Sequence, residues 1–575
     1  MIRLLLAALV CVATHGAEPS RPNVILIVTD DQGYGDIAVH GNTMIRTPQM
    51  DRLHDESARF TNFHVDPTCS PTRAALLTGR YSTRTGVWHT VMGRSLLAPD
   101  ETTMADLFRR GGYRTALFGK WHLGDNYPLR PQDRGFEEVL TFGGGGIGQT
   151  PDFWGNDYFD DTFLHNGKPE SFSGYCTDVF FNQALHFIEA NKNRPFFVYL
   201  ATNVPHSPFN VSDYYSRPYR ERGVPTDMAN FYGMIENADA NLGRLRARLT
   251  ELGLADNTIF VFMSDNGTAG GVAKPGKDGA SGPGWKGFNA GMRGTKGSEY
   301  EGGHRDPLFI RWPAGGIDRG RDLRQLTAHI DLLPTLAEFC GLSVPANLAL
   351  DGTSLVPLLR GDATTWPERT LFAHAQRKEI PPKWTHSAVM TDRWRFVNGV
   401  ELYDLPADPG EQSDVASTHP DVVAALRQRY ESWWTSLAPA LARQIRIPLG
   451  TLAENPTRLN CMDWHAADGT IPWDQEQVAA LPAANGVWKV EIAAAGRYRF
   501  TLRHRPAEAP IPLQATIARV RVGEREAKTA IPAGATAVTL DLNLPAGPAD
   551  LQTFLDDKAS GQSRGAFYVG VELLP

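Results

Sequence analysis

The side chains that could do chemistry in this chain lie scattered between Asp30 and Lys296. The stretch "NVILIVTDDQGYGD" runs apolar and then stops on Asp30 and Asp31, and "NTIFVFMSDNG" stops on Asp265 and Asn266. One Asp-Asp pair is ordinarily a turn or a cap. Two such pairs, each closing an apolar run, suggest more. Adjacent carboxylates repel, and a cation is the usual relief. Oxygen-only ligands favour calcium or magnesium over zinc. In "FHVDPTCSPTRAALLTGR", Ser70 is placed to cap a helix with Pro71 at its first position. Cys69 then stands at a helix N-terminus, where unpaired N–H groups and the dipole favour an anion, with Arg73 one turn along. A nucleophile beside a metal, an arginine and a helix N-terminus is arranged to attack an anionic group.

These groups need a scaffold that gathers them. Two further apolar runs, in "YRTALFGKWHLG" and "RPFFVYLATNVPHSPF", lead to Lys120 and His122 and to His206. Short β-branched or aromatic runs bounded by turn residues read as strands buried on both faces, as in a parallel sheet. Helical stretches such as "TTMADLFRRGG" and "MIENADANLGRLRARLTELG" alternate with them. That order predicts an α/β fold. Ligands of such sheets collect outside the carboxyl ends of the strands, so residues far apart in sequence can meet at one edge.

The chain of 575 residues is long enough for several domains, and its 42% apolar content allows a sizeable core. Net charge is −7 with both signs dispersed, and no basic stripe marks a nucleic-acid partner. Residues 1–17, with Arg3 and the apolar run from Leu4, have the shape of a secretory signal peptide. No later segment is apolar enough to span a membrane. The mature chain is expected to be exported, to the periplasm or beyond. Cys69, Cys176, Cys340 and Cys461 then remain, and an oxidising compartment would permit two disulfides, or one if Cys69 has another fate.

At this point the chain resembles the type I, formylglycine-dependent sulfatases of the alkaline-phosphatase-like superfamily. "CSPTRAALLTG" matches their signature C-x-P-x-R followed by L-T-G. The segments "NVILIVTDDQGYGD", "GKWHLG", "PHSPF", "SDNG" and "GTKGSEYEGGHR" follow in the family's order, from about Arg21 to Gln412. The resemblance implies a central, mostly parallel sheet flanked by helices at 21–345, with a smaller antiparallel subdomain at 346–440. It implies that Cys69 is oxidised to formylglycine by a maturing enzyme. Calcium, or magnesium, would be bound by Asp30, Asp31, Asp265, Asn266 and the modified Cys69. Arg73 and Lys120 would hold the formylglycine and the sulfate, and His122 would take a proton from the second hydroxyl. His206 and Lys296 would face the bridging oxygen, with His206 the preferred general acid. His304 reads as structural or functional with equal weight, and His40, His64 and His89 are candidates for the cleft.

One departure stands out. Some family members carry a serine after "RGF", whereas this chain reads "RGFEEVLTFGGGGIGQTPDFWGNDYFDD". The glycines either bring backbone amides to a ligand or form a loop. Trp154, Tyr158 and Asp160 beyond them either meet a sugar ring or pack. Residues 441–460 read as a linker with Pro448, Gly450 and Pro456. From Cys461 to the end, alternating runs such as "GVWKVEIAAAGRYRFTLRH" and "GAFYVGVELL" predict an accessory β-sandwich at 461–575 that packs on the sulfatase or binds glycan. The leading expectation is a secreted sulfatase acting on a sulfated carbohydrate or small molecule. The alternatives are a phosphate or phosphonate ester hydrolase of the same superfamily and a silent glycan-binding protein.

Overall fold

The computed structural model describes residues 21–272 and 286–575, apart from 363, 365, 467, 468 and 559. The expected signal peptide, 1–17, lies outside the described residues. The apolar runs form strands at Asn23–Thr29, Arg114–Gly119, Phe196–Ala201 and Thr258–Ser264. The first and the last two of these are buried at every position, the condition under which a strand reads as one apolar run. Together with Glu138–Thr141 they make the parallel centre of a ten-stranded sheet. Antiparallel strands flank it, among them Leu308–Arg311 and Thr162–His165.

Alternate residues of one strand serve two cores. Ile25 and Ile27 pack with Phe180, Phe231 and Met234 from helices Cys176–Asn191 and Thr226–Glu251. Val24, Leu26 and Val28 pack on the other face with Leu76, Leu77 and Phe108 from helices Cys69–Thr78 and Met104–Arg110. Helices on both faces leave only the strand ends open for function. No helix among the described residues is long and apolar enough to cross a membrane.

The smaller subdomain is an antiparallel sheet of Leu371–His374, Ser387–Met390, Trp394–Val397 and Glu401–Asp404. Helix Pro420–Ser436 lays Leu426, Tyr430 and Trp433 on Val389, Phe396 and Leu402. Beyond it stands a two-sheet β-sandwich. The stretch 441–460 is no connector. Ile447–Leu449 pairs with Trp488–Ile492, and Thr457–Asn460 pairs with Tyr568–Leu573, each at the edge of one sheet. An edge strand tolerates proline because one side of its ladder is unpaired, so Pro448 sits within strand Ile447–Leu449. Strands Arg525–Ala530 and Gly547–Asp556 were not evident from pattern. The sandwich core is continuous with the catalytic half, for Met92, Leu96 and Leu129 pack in one cluster with Ile447, Trp464 and Trp488.

The structure decides what the cysteine count left open. Cys69, Cys176, Cys340 and Cys461 are all buried free thiols. They start or end separate elements, at helices Cys69–Thr78, Cys176–Asn191 and Leu332–Phe339 and at the turn Cys461–Asp463. The even count is therefore no disulfide framework.

Candidate active site

Strand register brings the two acidic pairs together. Thr29 stands opposite Ser264 in parallel pairing, so Asp30 and Asp265, the next residues, leave the sheet side by side. Asp31 turns back with φ 71° and donates its N–H to Asp265 Oδ1 at 3.1 Å. Asn266 Nδ2 donates to Asp31 Oδ1 at 2.9 Å. The next pair of strands delivers the lysine. Gly119 stands opposite Ala201, and Lys120 N–H donates to the Ala201 carbonyl at 2.7 Å.

Helix Cys69–Thr78 starts two residues earlier than expected, with Thr68 in extended conformation as the N-cap and Cys69 as the first helical residue. Cys69 Sγ lies with carboxylate oxygens of Asp30 and Asp265 in a group whose atoms are all within 4.8 Å of one another. Arg73, one turn into the helix, donates to Asp265 Oδ2 from Nη2 at 2.7 Å and from Nε at 3.1 Å. Its Nη1 reaches Tyr199 Oη at 3.4 Å, a contact that no sequence pattern had suggested. Lys120 Nζ donates to Asp30 Oδ2 at 2.7 Å, and Lys296 Nζ donates to Asp31 Oδ2 at 2.8 Å.

The site has a closed floor and an open side. The side chains of Arg73, Asp265, Lys120 and Asp30 are 0% exposed, whereas those of Lys296 and His206 keep 16% and 9%. The less closed side of the cluster is therefore the one at Lys296 and His206.

The two histidines present different faces. His122 Nε2 meets the Thr90 carbonyl at 2.9 Å. A carbonyl only accepts, so this nitrogen carries the proton. His122 Nδ1 is buried with no partner and keeps its lone pair. Burial, and then the Lys120 charge, hold His122 well below the usual histidine range. His206 Nδ1 lies 2.6 Å from the Ser207 carbonyl and carries its proton by the same argument. Burial and the Lys296 ammonium lower His206 to about 3, so its ring is neutral in this state.

The carboxylates are unequal. Burial works to raise Asp31, but Lys296, His206 and Lys120 hold it well below the usual range. Asp265 is pushed up to about 6 by burial and by Asp30, against the pull of Arg73. Asp30 Oδ1 and Asn266 Oδ1 are buried without a hydrogen-bond partner. Crowded carboxylates with orphaned oxygens in an oxygen-rich set are what a hard cation satisfies, so these residues fit calcium or magnesium.

The glycine run has a definite place. A Cβ on Gly145 would fall on the His122 imidazole, and one on Gly146 would lie 3.3 Å from the His206 ring. The glycines are thus the surface on which both rings rest. Tyr158 is buried and donates to the His206 carbonyl at 2.9 Å. Trp154 packs under Arg505 of the sandwich, 4.7 Å from the guanidinium, and Asp160 accepts from Gly174 N–H at 2.7 Å. All three are engaged in packing within the protein, Trp154 against the sandwich.

His64 and His304 are buried behind the site with Nδ1 atoms 2.9 Å apart. Arg395 donates to Glu301 at 2.5 Å and to His64 at 3.2 Å, supplying the cation this cluster needs. His40 stacks on Tyr34 at 3.9 Å, and His89 Nδ1 accepts the Thr90 N–H at 2.7 Å.

The chain is similar to known proteins over most of its length. The family model "Sulfatase" matches residues 22–342, and "N-sulphoglucosamine sulphohydrolase, C-terminal" matches 295–434. N-acetylgalactosamine-6-sulfatase of Canis lupus familiaris is 30% identical over 72% of this chain and 80% of its own. Arylsulfatase A of Homo sapiens is 31% identical over 73% and 89%. Among solved structures, Ps i-CgsB in complex with k-i-k-neocarrahexaose superposes with a TM-score of 0.63 at 30% identity, over 72% of this chain and 93% of its own. With its parallel sheet and its clustered acids, the chain belongs to the sulfatase family of the alkaline-phosphatase-like superfamily and is a sulfuric ester hydrolase.

Proposed function

We propose that this chain is an exported sulfatase that hydrolyses sulfate monoesters on a carbohydrate, using a formylglycine made from Cys69 by a maturing enzyme. The observation that carries the reading is the meeting of Cys69 with Asp30 and Asp265, donor atoms within 4.8 Å, over the buried cations of Arg73 and Lys120. Asp30, Asp31, Asp265 and Asn266 would hold calcium, with magnesium as the smaller alternative; when bound it supplies positive charge beside the tetrahedral anion. The aldehyde hydrate supplies a nucleophilic hydroxyl and a second hydroxyl that a serine lacks.

The remaining steps belong to the chain's own side chains. Arg73 and Lys120 line the floor and attract the sulfate oxygens that carry charge. His122 Nδ1, with its free lone pair, accepts a proton from a hydroxyl at residue 69. The leaving oxygen gains charge as the S–O bond breaks, so a proton donor there helps most. Lys296 and His206 stand at the open side where the alcohol must lie. Lys296 is kept charged by Asp31, against its burial. His206 becomes a donor at Nε2 once an anion arrives to favour its second proton.

Carbohydrate is the preferred substrate class because the relatives include a sulfatase named for N-acetylgalactosamine and a structure holding a neocarrahexaose.

A screen of sulfated mono- and oligosaccharides, read as inorganic sulfate, tests this reading. It is run with calcium, with magnesium and with chelator, alongside mass spectrometry across Cys69 to establish conversion. Sulfate release should require conversion and a divalent cation, and Cys69→Ala should abolish it without lowering Tm. Nitrophenyl phosphate or phosphonate turned over in preference to nitrophenyl sulfate would overturn the substrate class. Appreciable activity in Cys69→Ala would overturn the mechanism.

A further inference from the structure

The loop that seats both histidines is held from the far end of the chain. It runs from Gly143 to Asn156 and begins with four consecutive glycines. Glycine resists no particular backbone shape, so the form of this loop must be imposed by what it touches. On its inner side Gly145 and Gly146 lie against His122 and His206. On its outer side the partners come from the sandwich. Thr150 N–H donates to the Trp473 carbonyl at 3.0 Å, and Gln475 N–H donates to the Gly148 carbonyl at 3.1 Å. Thr150 Oγ1 donates to the Pro472 carbonyl at 2.8 Å, and Tyr568 Oη donates to the Thr150 carbonyl at 2.8 Å.

The Gln475 side chain gathers most of the loop at one point. Its Oε1 accepts the Gly155 N–H at 2.9 Å. Its Nε2 faces the carbonyls of Gln149 at 3.2 Å and of Asp152 and Phe153 at 3.3 Å. From Gln149 the restraint passes inward, because Gln149 Oε1 accepts the Gly145 N–H at 2.9 Å and Gln149 N–H donates to the Gly146 carbonyl at 3.1 Å. Gln149, Thr150 and Asp152 are all buried.

We propose that Gln475 of the C-terminal sandwich is a positioning residue for His122 and His206, acting through Gln149 and the glycine run. The sandwich is then a wall of the catalytic pocket. This rests on the sulfatase reading for the roles of the two histidines, while the geometry of the clamp stands apart from it.

The test uses the full chain with Gln475→Ala and with Gln475→Glu, which keeps the acceptor toward Gly155 but turns an oxygen on the three carbonyls. Two quantities are read: deuterium exchange at the imidazole Cε1–H of His122 and His206 by mass spectrometry, and kcat and KM for nitrophenyl sulfate. Both variants should speed exchange at both rings several-fold and lower kcat about tenfold, with KM within about twofold and Tm within a few degrees. Arg525→Ala, on the exposed outer strand of the sandwich, should change none of these. Unaltered exchange at both rings in folded Gln475 variants would overturn the proposal even if no ester is turned over. Equal acceleration in Arg525→Ala would overturn it too. A converted wild-type chain that releases no sulfate, with exchange responding as expected, would remove the sulfatase reading and leave the clamp standing.

Discussion

Asp31 and His122 hold φ angles of 71° and 60°, a backbone region that costs a non-glycine residue roughly 1–3 kcal/mol. Both are buried at the strand ends, and the surrounding hydrogen bonds maintain them there. In this conformation the Asp31 carboxylate meets Lys296, and His122 presents Nε2 rather than Nδ1 to the Thr90 carbonyl. The sharpest residue-level prediction concerns the surface under His122. A methyl on Gly145 must displace the imidazole, while no core residue changes. Gly145→Ala should lower kcat by about 10²-fold and move Tm by no more than a few degrees, measured by steady-state kinetics and calorimetry. Wild-type turnover in that variant would show that the ring does not depend on this contact. His206 carries a complementary lesson: its type and motif were legible, but its neutral state is set by burial and then by Lys296, ninety residues away in sequence.

Among the elements, the parallel register does the gathering. Each strand ends where its neighbour ends, so each delivers its first polar residue to the same rim. Gly119 shows how tight this is. Its φ is 106°, and a Cβ there would strike the Ala201 carbonyl that accepts the Lys120 N–H. Gly119→Ala should therefore destabilise the chain by at least about 3 kcal/mol and misplace Lys120, seen as a lower urea midpoint with unchanged m-value. A variant as stable as wild type would mean that the strand end can relax. The helix at Cys69 was legible as a helix, but its start was not. Ser70 and Pro71 are good cap residues by type, yet Thr68, itself in extended conformation, takes the cap, and Cys69 already stands in the helix. Local propensity named the element but not its first residue.

Across the whole molecule, three bodies share charges and core. Glu301 of the catalytic half pairs with Arg395 of the subdomain and donates its N–H to Glu411 Oε2 at 2.8 Å. Glu411 Oε1 has no partner. Burial, and then the Glu301 carboxylate, push Glu411 up to about 8 from an ordinary 4.5. Between those values the folded chain keeps a proton that the unfolded chain has lost, so stability falls as pH rises through this window. Glu411→Gln keeps an acceptor for Glu301 and carries no charge. It should stabilise by on the order of 1–2 kcal/mol at pH 8 and by almost nothing at pH 4.5, read from Tm against pH. An equal gain at both pH values would refute the linkage. The sandwich was legible as alternating runs, but its first strands were hidden among prolines and its hold on the glycine loop spans more than three hundred residues.

By itself the sequence determined the α/β class and the strand ends, and it singled out Asp30, Asp31, Cys69, Arg73, Lys120, His122, His206, Asp265, Asn266 and Lys296 as residues to bring together, because buried strands and specific motifs are local in the chain. Only the tertiary structure decided which nitrogen of each histidine is free, that the cysteines stay apart, that the glycines are a seat for two rings, and that a distant glutamine braces them. Those outcomes depend on partners brought together by packing, and no spacing along a single chain encodes which carbonyl a ring nitrogen will meet.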